Sequence, residues 1–266
     1  MELVKIVIPI YKTELNEKEK ISLEQCMRVF KDFPKVFIMP ESLDISSITD
    51  KYAGVDCETF GDYYFKGISG YNKLMLSSCF YERFLDAVYI LIYQLDAFVF
   101  RNELVEWCNK GYDYVGAPWI LKPKYRQWHI RTFLKLKSIY YLIANRPFWP
   151  LLLGDKVGNG GFSLRKVLSH YNSTISKKDK IDYYLTRSQE HSEFNEDTFW
   201  ALENPDFVYP KTQEALAFSI DRYPDICFMM NDSKLPFGCH GWNKPEMINF
   251  WEDKILQSFS QSEKNN

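Results

Sequence analysis

The sequence predicts an α/β protein with three layers, in which helices cover both faces of a mainly parallel central sheet. Continuous apolar runs recur through the first half of the chain, as expected for strands that are buried on both faces. Segments with helical spacing of apolar residues separate these runs, and strands that alternate with helices generally pair in parallel. The 266 residues are enough for one large domain with a sizeable core.

Four strands and two helices account for the first hundred residues. Strands are expected at residues 4–11, 35–40, 55–60 and 89–100. A first helix is expected at 16–30, where Asn16 can cap the first turn and apolar residues share one face, and a second at 70–84. Ligands of such sheets bind outside the carboxyl ends of the strands, so we expect the functional site at that edge.

The following segments lead into a region of different composition. A short helix from residue 104, with Gly111 as a C-cap, precedes a strand at 113–119. Residues 118–154 then carry seven Lys or Arg residues among many Trp, Tyr and Phe residues, without any Asp or Glu. We interpret this basic aromatic stretch as a partly helical insertion or lid with an apolar and a cationic side.

The whole chain is expected to form one domain, and its composition limits its location and partners. The domain should span residues 1–256, followed by a frayed tail at 257–266. A net charge of −2 argues against a nucleic-acid partner. The apolar runs are shorter than the roughly 20 residues of a membrane span, and the beginning of the chain does not resemble an export signal. Six cysteines without a CxxC pair are typical of reduced thiols, so we expect a cytoplasmic protein.

The first two motifs that could carry chemistry lie at predicted strand ends. In "YILIYQLDAFVF", Asp96 follows an apolar run at the carboxyl end of the fourth strand, where it either faces a ligand or caps a turn. In "GNGGFSLRK" (158–166), two adjacent glycines indicate a backbone that passes close to another group. That group could be a phosphate, or the glycines could form only a tight turn.

Two further motifs lie nearer the end of the sequence. In "FNEDTFW", Glu196 or Asp197 could act as a base at a sugar subsite walled by Phe199 or Trp200. The same acids could instead stabilise the N-terminus of a helix that Asn195 caps. In "PFGCHGW", His240 lies in a predicted loop, where it could bind a metal or a phosphate, although the Cys-His spacing is not that of a zinc site.

In this order, and together with "YDYVGAPW", these motifs resemble a bacterial glycosyltransferase-like family that is catalogued largely as a domain of unknown function. The resemblance extends from "IVIPIYK" to "CHGW", and the layout is more distantly similar to metal-dependent GT-A glycosyltransferases. It implies a GT-A-like, Rossmann-like three-layer sandwich. It also implies a nucleotide-sugar donor and a divalent cofactor, Mn²⁺ or Mg²⁺.

The resemblance also assigns roles to individual residues. Asp96 matches the first Asp of a DxD motif whose second Asp is replaced by Phe98, and His240 matches the late His that completes the metal shell. Asp197, with Glu196 beside it, matches the catalytic acid pair. Donor contacts are implied for Pro9, Tyr11, Glu41, Asn72, Lys73, Gln94 and Asp96. Acceptor contacts are implied for Asn159, Gly160, Gly161, Phe162 and Trp200.

The function that follows from the resemblance is an inverting hexosyltransferase of bacterial surface polysaccharide synthesis. Its acceptor would be a glycan or a polyisoprenyl-linked glycan, reached at the inner face of the cytoplasmic membrane. The basic aromatic insertion suits an anionic membrane surface, or it forms a folded lid. The replacement of the second Asp leaves an alternative open, namely a catalytically inactive GT-A-like protein that binds glycans or serves in assembly.

Overall fold

The computed structural model describes residues 1–52, 54–121, 128–143 and 149–264, and it forms an α/β fold with two sheets. The strands of this part of the chain are β1 (Glu2–Pro9), β2 (Lys35–Pro40), β3 (Asp56–Phe60), β4 (Ala87–Tyr93), β5 (Phe98–Val99), β6 (Tyr114–Val115), β7 (Phe162–Lys166), β8 (Ser219–Ile220) and β9 (Gly238–Cys239). The helices are α1 (Glu17–Val29), α2 (Ser46–Thr49), α3 (Gly67–Met75), α4 (Ser78–Glu82), α5 (Leu104–Asn109), α6 (Trp128–Ile143), α7 (Trp149–Leu153), α8 (Val167–Ser176), α9 (Lys178–Arg187), α10 (Glu196–Leu202), α11 (Thr212–Phe218), α12 (Pro224–Met230) and α13 (Pro245–Lys264).

The larger sheet has six strands in the order β3-β2-β1-β4-β7-β6, and the first four are parallel. β7 runs antiparallel to both β4 and β6, with Phe162 opposite Tyr93. Because β7 is reversed, the residues that precede it lie at the same edge as the residues that follow β4. The glycine-rich turn before β7 therefore reaches the ligand edge of the parallel strands.

A second sheet of three short strands, in the order β5-β9-β8, brings distant segments to this edge. β5 pairs antiparallel with β9, with Phe98 opposite Cys239, and β8 runs parallel to β9. The link between β4 and β5 contains Asp96, and His240 follows β9 directly. The pairing of β5 with β9 thus places the two residues close together.

Apolar cores fill both faces of the larger sheet, which explains the unbroken apolar runs in the sequence. Ile6 and Ile8 of β1 face one core, together with α1, while Val7 faces the other, beneath α4 and α10. Helix α1 begins as predicted: Asn16 and Glu19 form a reciprocal capping box. Among the described residues, no helix is long and apolar enough to cross a membrane.

Two predicted elements are each divided in the structure. The strand expected at 89–100 ends at Tyr93, because the chain turns with a hydrogen bond from Ala97 N to Gln94 O (2.9 Å) and then joins the second sheet. The helix expected at 70–84 becomes α3 and α4. Ser77 separates them, since its hydroxyl donates to Leu74 O (2.7 Å) and accepts from Phe80 N (3.3 Å).

The predicted tail and the predicted insertion both contain helices. The tail predicted to fray from residue 257 is helical as far as Lys264, as part of α13. Arg28 donates to Phe259 O (2.8 Å) and packs over the Phe259 ring, which holds this helix against α1. The predicted insertion contains α6 and α7, while residues 122–127 and 144–148 lie outside the described part of the chain.

Candidate functional site

A cleft of about 870 Å³ lies at the carboxyl ends of the parallel strands. Segments from across the sequence line it, and each is positioned by the end of an element. Its lining includes Pro9, Tyr11, Asn72, Gln94, Asp96, Asn159, Gly160, Gly161, Glu196, Asp197, Arg222, His240 and Lys244.

His240 lies between two carboxylates on one wall of the cleft. Its Nδ1 lies 2.9 Å from Asp221 Oδ1, and its Nε2 lies 3.1 Å from Asp96 Oδ1 and 3.2 Å from Gln94 Oε1. Burial by itself lowers the pKa of His240, but Asp96 and Asp221 outweigh this effect and raise the pKa to about 10. Burial alone would raise the pKa values of the Asp96 and Asp221 carboxyls. Their contacts with His240 outweigh burial, so both pKa values are lowered. The ring is therefore a buried imidazolium at neutral pH.

The register of the aspartate motif differs from the prediction. Gln94 and Asp96 follow β4 and both line the cleft, whereas Phe98 is fully buried in β5 and packs against Phe100. The two side chains of this segment that share the polar wall of the cleft are thus Asp96 and Gln94, so a neutral amide stands where a second carboxylate could have stood. The interpretation of Phe98 as the substituted acid was wrong, because the turn after Tyr93 directs residue 98 into the core.

The donor atoms around Asp96 fit a divalent metal of modest affinity. Cis ligands of an octahedral metal with bonds near 2.1 Å are roughly 3 Å apart, and His240 Nε2 lies 3.1 Å and 3.2 Å from the Asp96 and Gln94 oxygens. His240 would release its Nε2 proton when a metal binds, and its Nδ1–H would donate a hydrogen bond to Asp221, as metal-bound histidines commonly do to a carboxylate. Within the described residues, no three His, Cys, Asp or Glu side chains cluster closely enough to hold a metal by themselves. The neutral Gln94 oxygen would complete the protein's share of the ligands.

Two cations on the cleft wall were missed by the sequence analysis. Arg222 follows β8 and Lys244 follows the His240 loop, and both side chains are substantially exposed in the cleft. The Lys244 Nζ lies 4.0 Å from Asp221 Oδ1. Together with charged His240, they make this wall suitable for an anionic group such as a diphosphate.

The adjacent acids Glu196 and Asp197 have different environments. Glu196 is buried and forms a two-pronged ion pair with Arg165, with Nη1 to Oε2 and Nη2 to Oε1 both at 3.2 Å. Asp197 lines the cleft, and its Oδ1 accepts a hydrogen bond from Thr198 N (2.8 Å). Burial is the main reason that the pKa of Asp197 is raised to about 7, and the negative charge of Glu196 adds to this effect. Of the pair, Asp197 is therefore suited to exchange a proton with a ligand.

Helix α10, which presents both acids, is capped from another element. Asn195 occupies its N-cap position, but the Asn195 side chain does not cap the helix. Instead Asn72 Oδ1 accepts from Glu196 N (3.1 Å), and Asn72 Nδ2 donates to Asn195 Oδ1 (3.0 Å). The predicted role of Asn195 as a cap was wrong, and Asn72 of α3 fixes the start of α10.

The glycines of "GNGG" are explained by their close neighbours. A Cβ at Gly161 would overlap His240 Nε2 and lie 2.6 Å from Gln94 Oε1, and a Cβ at Gly160 would overlap Glu196 Oε1. Gly158 is packed against Trp119 in the same way. The backbone thus passes directly against the side chains of His240, Gln94 and Glu196, which leaves no room for a Cβ at these glycines.

Most of the predicted site residues come together in the cleft, and four do not. Phe162 and Trp200 are fully buried, in the cores on opposite faces of the sheet, so they cannot contact an acceptor. Glu41 and Lys73 are exposed and do not line the cleft. The predicted donor contacts of Glu41 and Lys73 therefore stay predictions, while the burial of Phe162 and Trp200 excludes their predicted acceptor contacts.

Comparisons with known proteins agree with this architecture. The sequence profile of the family described as "Protein of unknown function (DUF5672)" matches residues 54–240. No curated protein matches the chain.

Solved structures with a similar fold are glycosyltransferases. The galactosyltransferase LgtC, in complex with donor and acceptor sugar analogs, is similar over 97% of this chain and 95% of its own, with 9% identity and a TM-score of 0.57. The glycosyltransferase GlyE of Streptococcus pneumoniae TIGR4 is similar over 98% of this chain and 62% of its own, with 10% identity and a TM-score of 0.51. At such identities the likeness concerns the fold alone, and it confirms the expected GT-A architecture.

Proposed function

Because the chain belongs to the family described as "Protein of unknown function (DUF5672)" and has the GT-A fold, we propose that it is a glycosyltransferase. It moves a hexosyl group from a nucleotide-sugar donor to a glycan or a lipid-linked glycan in bacterial surface polysaccharide synthesis. The observation that carries this proposal is the cleft itself, where a cationic wall around His240 shares one space with Asp197.

The cationic wall suits the leaving group of the donor. When the bond between the sugar C1 and the phosphate oxygen breaks, the released nucleoside diphosphate gains negative charge. Lys244, Arg222 and the His240 loop can stabilise that charge through charge-assisted hydrogen bonds. Pro9 and Tyr11, at the end of β1, are proposed to contact the nucleotide.

Asp197 is the proposed catalytic base. Its pKa of about 7 lets it accept the proton of the acceptor hydroxyl near neutral pH, as that oxygen forms its bond to C1. A single base acting on the acceptor corresponds to an inverting displacement, with one bond formed and one broken in the same step. Glu196 is held by Arg165 and is proposed to position Asp197 and to raise its pKa.

A divalent metal, Mn²⁺ or Mg²⁺, is proposed at Asp96, His240 and Gln94. When bound, it would supply positive charge to the diphosphate of the donor. Asn159, Gly160 and Gly161 are proposed to form the floor beneath the acceptor. We further propose that the protein acts at the inner, cytoplasmic face of the membrane, where polyisoprenyl-linked acceptors are available.

The test is transfer and hydrolysis with a panel of nucleotide-sugars, with and without Mn²⁺. We expect one donor to be turned over, and we expect the anomeric configuration of the product, read by proton NMR, to be inverted. Failure of every nucleotide-sugar and nucleoside diphosphate to bind by calorimetry would refute the proposal. A product with retained configuration would refute the inverting mechanism alone.

Gln94 in place of a carboxylate favours one competing function, a glycan-binding protein without turnover. Such a protein would bind glycans equally well after Asp96→Ala and Asp197→Ala. An enzyme would instead show turnover in the parent and lose it in both variants, so turnover by the parent separates the two functions.

A further inference from the structure

The helix α6 exposes its apolar side. Six large apolar or aromatic side chains on it are between 53% and 81% exposed, namely Trp128, Phe133, Leu136, Ile139, Tyr140 and Ile143. Leu134, in contrast, is buried. Helices of globular proteins normally turn their apolar stripe towards the core, so this arrangement requires an explanation.

The exposed side chains share one side of the helix, together with the exposed polar residues His129 and Thr132. At 3.6 residues per turn they fall within an arc of about 140°, and Leu134 lies on the opposite side of the helix. Scattered apolar residues on a surface need no explanation, but six large apolar side chains on one side of a helix mark a site that meets a membrane or another protein. We call the six residues the α6 face.

The charges around the α6 face indicate its partner. Lys135 and Lys137 are both exposed and lie just outside the two borders of the arc, by about 20° and 40° at 3.6 residues per turn. The sequence contains no acidic residue between Asp113 and Asp155. An apolar centre with aromatic rings and a rim of lysines is complementary to the interface of an anionic bilayer, where the lysine stems lie along the lipid and the ammonium groups reach the headgroups.

A second copy of this chain is a poorer match. If two α6 faces packed about a twofold axis, the lysine borders of both helices would meet along the edges of the contact. Like charges at such positions oppose association. The charge pattern therefore favours a negatively charged lipid surface over self-association.

Helix α7 brings the insertion that contains α6 close to the proposed acceptor side of the cleft. Helix α7 belongs to the same insertion, and its Trp149 ring packs edge-on against Phe194, with centroids 5.0 Å apart. Phe194 lies two residues before Glu196 and three before Asp197 in the chain. The insertion that carries the α6 face thus also contacts, through α7, the segment that presents the proposed catalytic base.

From these observations we propose that the α6 face docks the protein on an anionic lipid bilayer, with Lys135 and Lys137 at the headgroups. Docking brings the cleft to acceptors that are embedded in the membrane, a role that rests on the proposed function. The docking itself does not depend on that function.

The experiment is flotation of the full chain with vesicles of phosphatidylcholine, with or without phosphatidylglycerol, at low and high salt. We expect binding only to the anionic vesicles, and weaker binding at high salt. The double variant Leu136→Glu/Ile143→Glu should lose binding. The matched variant Leu168→Glu/Ile175→Glu, at exposed apolar positions of α8, should bind like the parent. Each cation near such a surface contributes about 1 kcal/mol, so Lys135→Gln/Lys137→Gln should weaken binding by about 30-fold.

Three results would overturn the proposal: no flotation with anionic vesicles, flotation that the α6 double variant retains, or a concentration-dependent dimer that the same variant abolishes. Nucleotide-sugar binding without lipid, measured by calorimetry on the same variants, separates the two proposals. If donor binding persists and flotation fails, only the docking is refuted. If flotation persists and no donor binds, only the proposed enzyme is refuted.

Discussion

The imidazole of His240 illustrates how neighbouring residues set the chemistry of one side chain. An isolated, buried histidine is neutral, as His170 is in this protein, because burial lowers the pKa of His170 well below its usual value. His240 is equally buried, but Asp96 and Asp221 lie on either side of it and hold the proton. The same residue type thus serves as a charged group in the cleft and as a neutral aromatic ring in the core.

We predict that Asp221→Asn loosens His240 without unfolding the protein. Loss of the carboxylate removes one of the two negative partners, so the pKa of His240 should fall from about 10 towards its usual value, as an NMR titration of the ring would show. Substitution of a residue that holds a metal-binding histidine typically lowers metal affinity by about 10- to 100-fold. Mn²⁺-dependent donor binding should therefore weaken by that factor. Asp253→Asn, on the exposed side of α13, is the matched control. An unchanged titration of His240 would contradict the prediction.

We predict that Asp197→Asn removes most of the transfer activity and leaves donor binding intact. A positioned base commonly contributes about 10²- to 10⁴-fold to the rate, and an amide cannot accept the proton. In the parent, the rate should rise with pH through about 7, where Asp197 loses its proton, and the variant should lack this rise. The exposed Asp182→Asn on α9 should behave like the parent. An identical pH profile in Asp197→Asn would assign the base to another group.

The sequence allowed some of these residues to be found and concealed others. Asp96 was conspicuous because it ends an apolar run, and His240 because glycine and cysteine flank it in a short loop. Asp221 is one of 35 acidic residues, and only the pairing of β8 with β9 brings it to His240. The role of Arg165 was hidden as well, because its partner Glu196 lies on α10. Only the folded structure brings α10 beside the strand that carries Arg165.

Among the elements, the turn before β7 has the greatest influence on the site. Its residues lie beneath both His240 and Glu196, and the turn is held by hydrogen bonds from Gly161 N to Asn159 Oδ1 (3.1 Å) and from Gln94 N to Gly161 O (2.9 Å). The second bond connects the turn directly to the residue after β4. The two strand ends therefore act as one platform.

We predict that Gly161→Ala impairs donor and metal binding more than stability. The added Cβ would overlap His240 Nε2 and crowd Gln94 Oε1, so both side chains must move away from residue 161. A suitable comparison is Gly111→Ala, where φ is +75° but no atom lies within 4 Å of the added carbon. That variant should lose about 1 kcal/mol of stability, since alanine is strained at positive φ, and should bind the donor normally. If Gly161→Ala bound donor and Mn²⁺ like the parent, the platform would not support the site.

Prediction of elements from the sequence succeeded where periodicity and caps were local. Helix α1 and strand β2 match their predicted bounds closely, because the Asn16 cap and the terminal Pro40 are local signals. The apolar run at 89–100 was predicted as one strand because apolar periodicity does not report a change of sheet. Only the pairing of β5 with β9 revealed the break, and with it the placement of Gln94 and Asp96 in the cleft.

At the scale of the whole molecule, two buried groups in different places respond oppositely to acid. His170 is enclosed by the rings of Tyr81, Tyr114 and Trp200, and within the described residues its Nε2 has no hydrogen-bond partner. As pH falls below about 6.5 the unfolded chain binds a proton that folded His170 rejects, so stability is lost. Asp197 has a raised pKa, so between about pH 7 and 4 the folded state binds a proton that the unfolded chain does not, and stability is gained.

We predict that His170→Phe removes the acid sensitivity that His170 causes and leaves the opposite contribution of Asp197. Each group contributes a slope of about 1.4 kcal/mol per pH unit, with opposite signs, so the parent should vary little in stability between pH 6.5 and 5. The stability of His170→Phe relative to the parent should rise by about 1.4 kcal/mol per pH unit over this range, whatever constant cost the larger ring adds in the core. Urea unfolding at several pH values measures this difference, with the exposed His191→Gln as the control. Parallel curves for His170→Phe and the parent would show that this histidine is charged in the folded protein, contrary to its place among the aromatic rings.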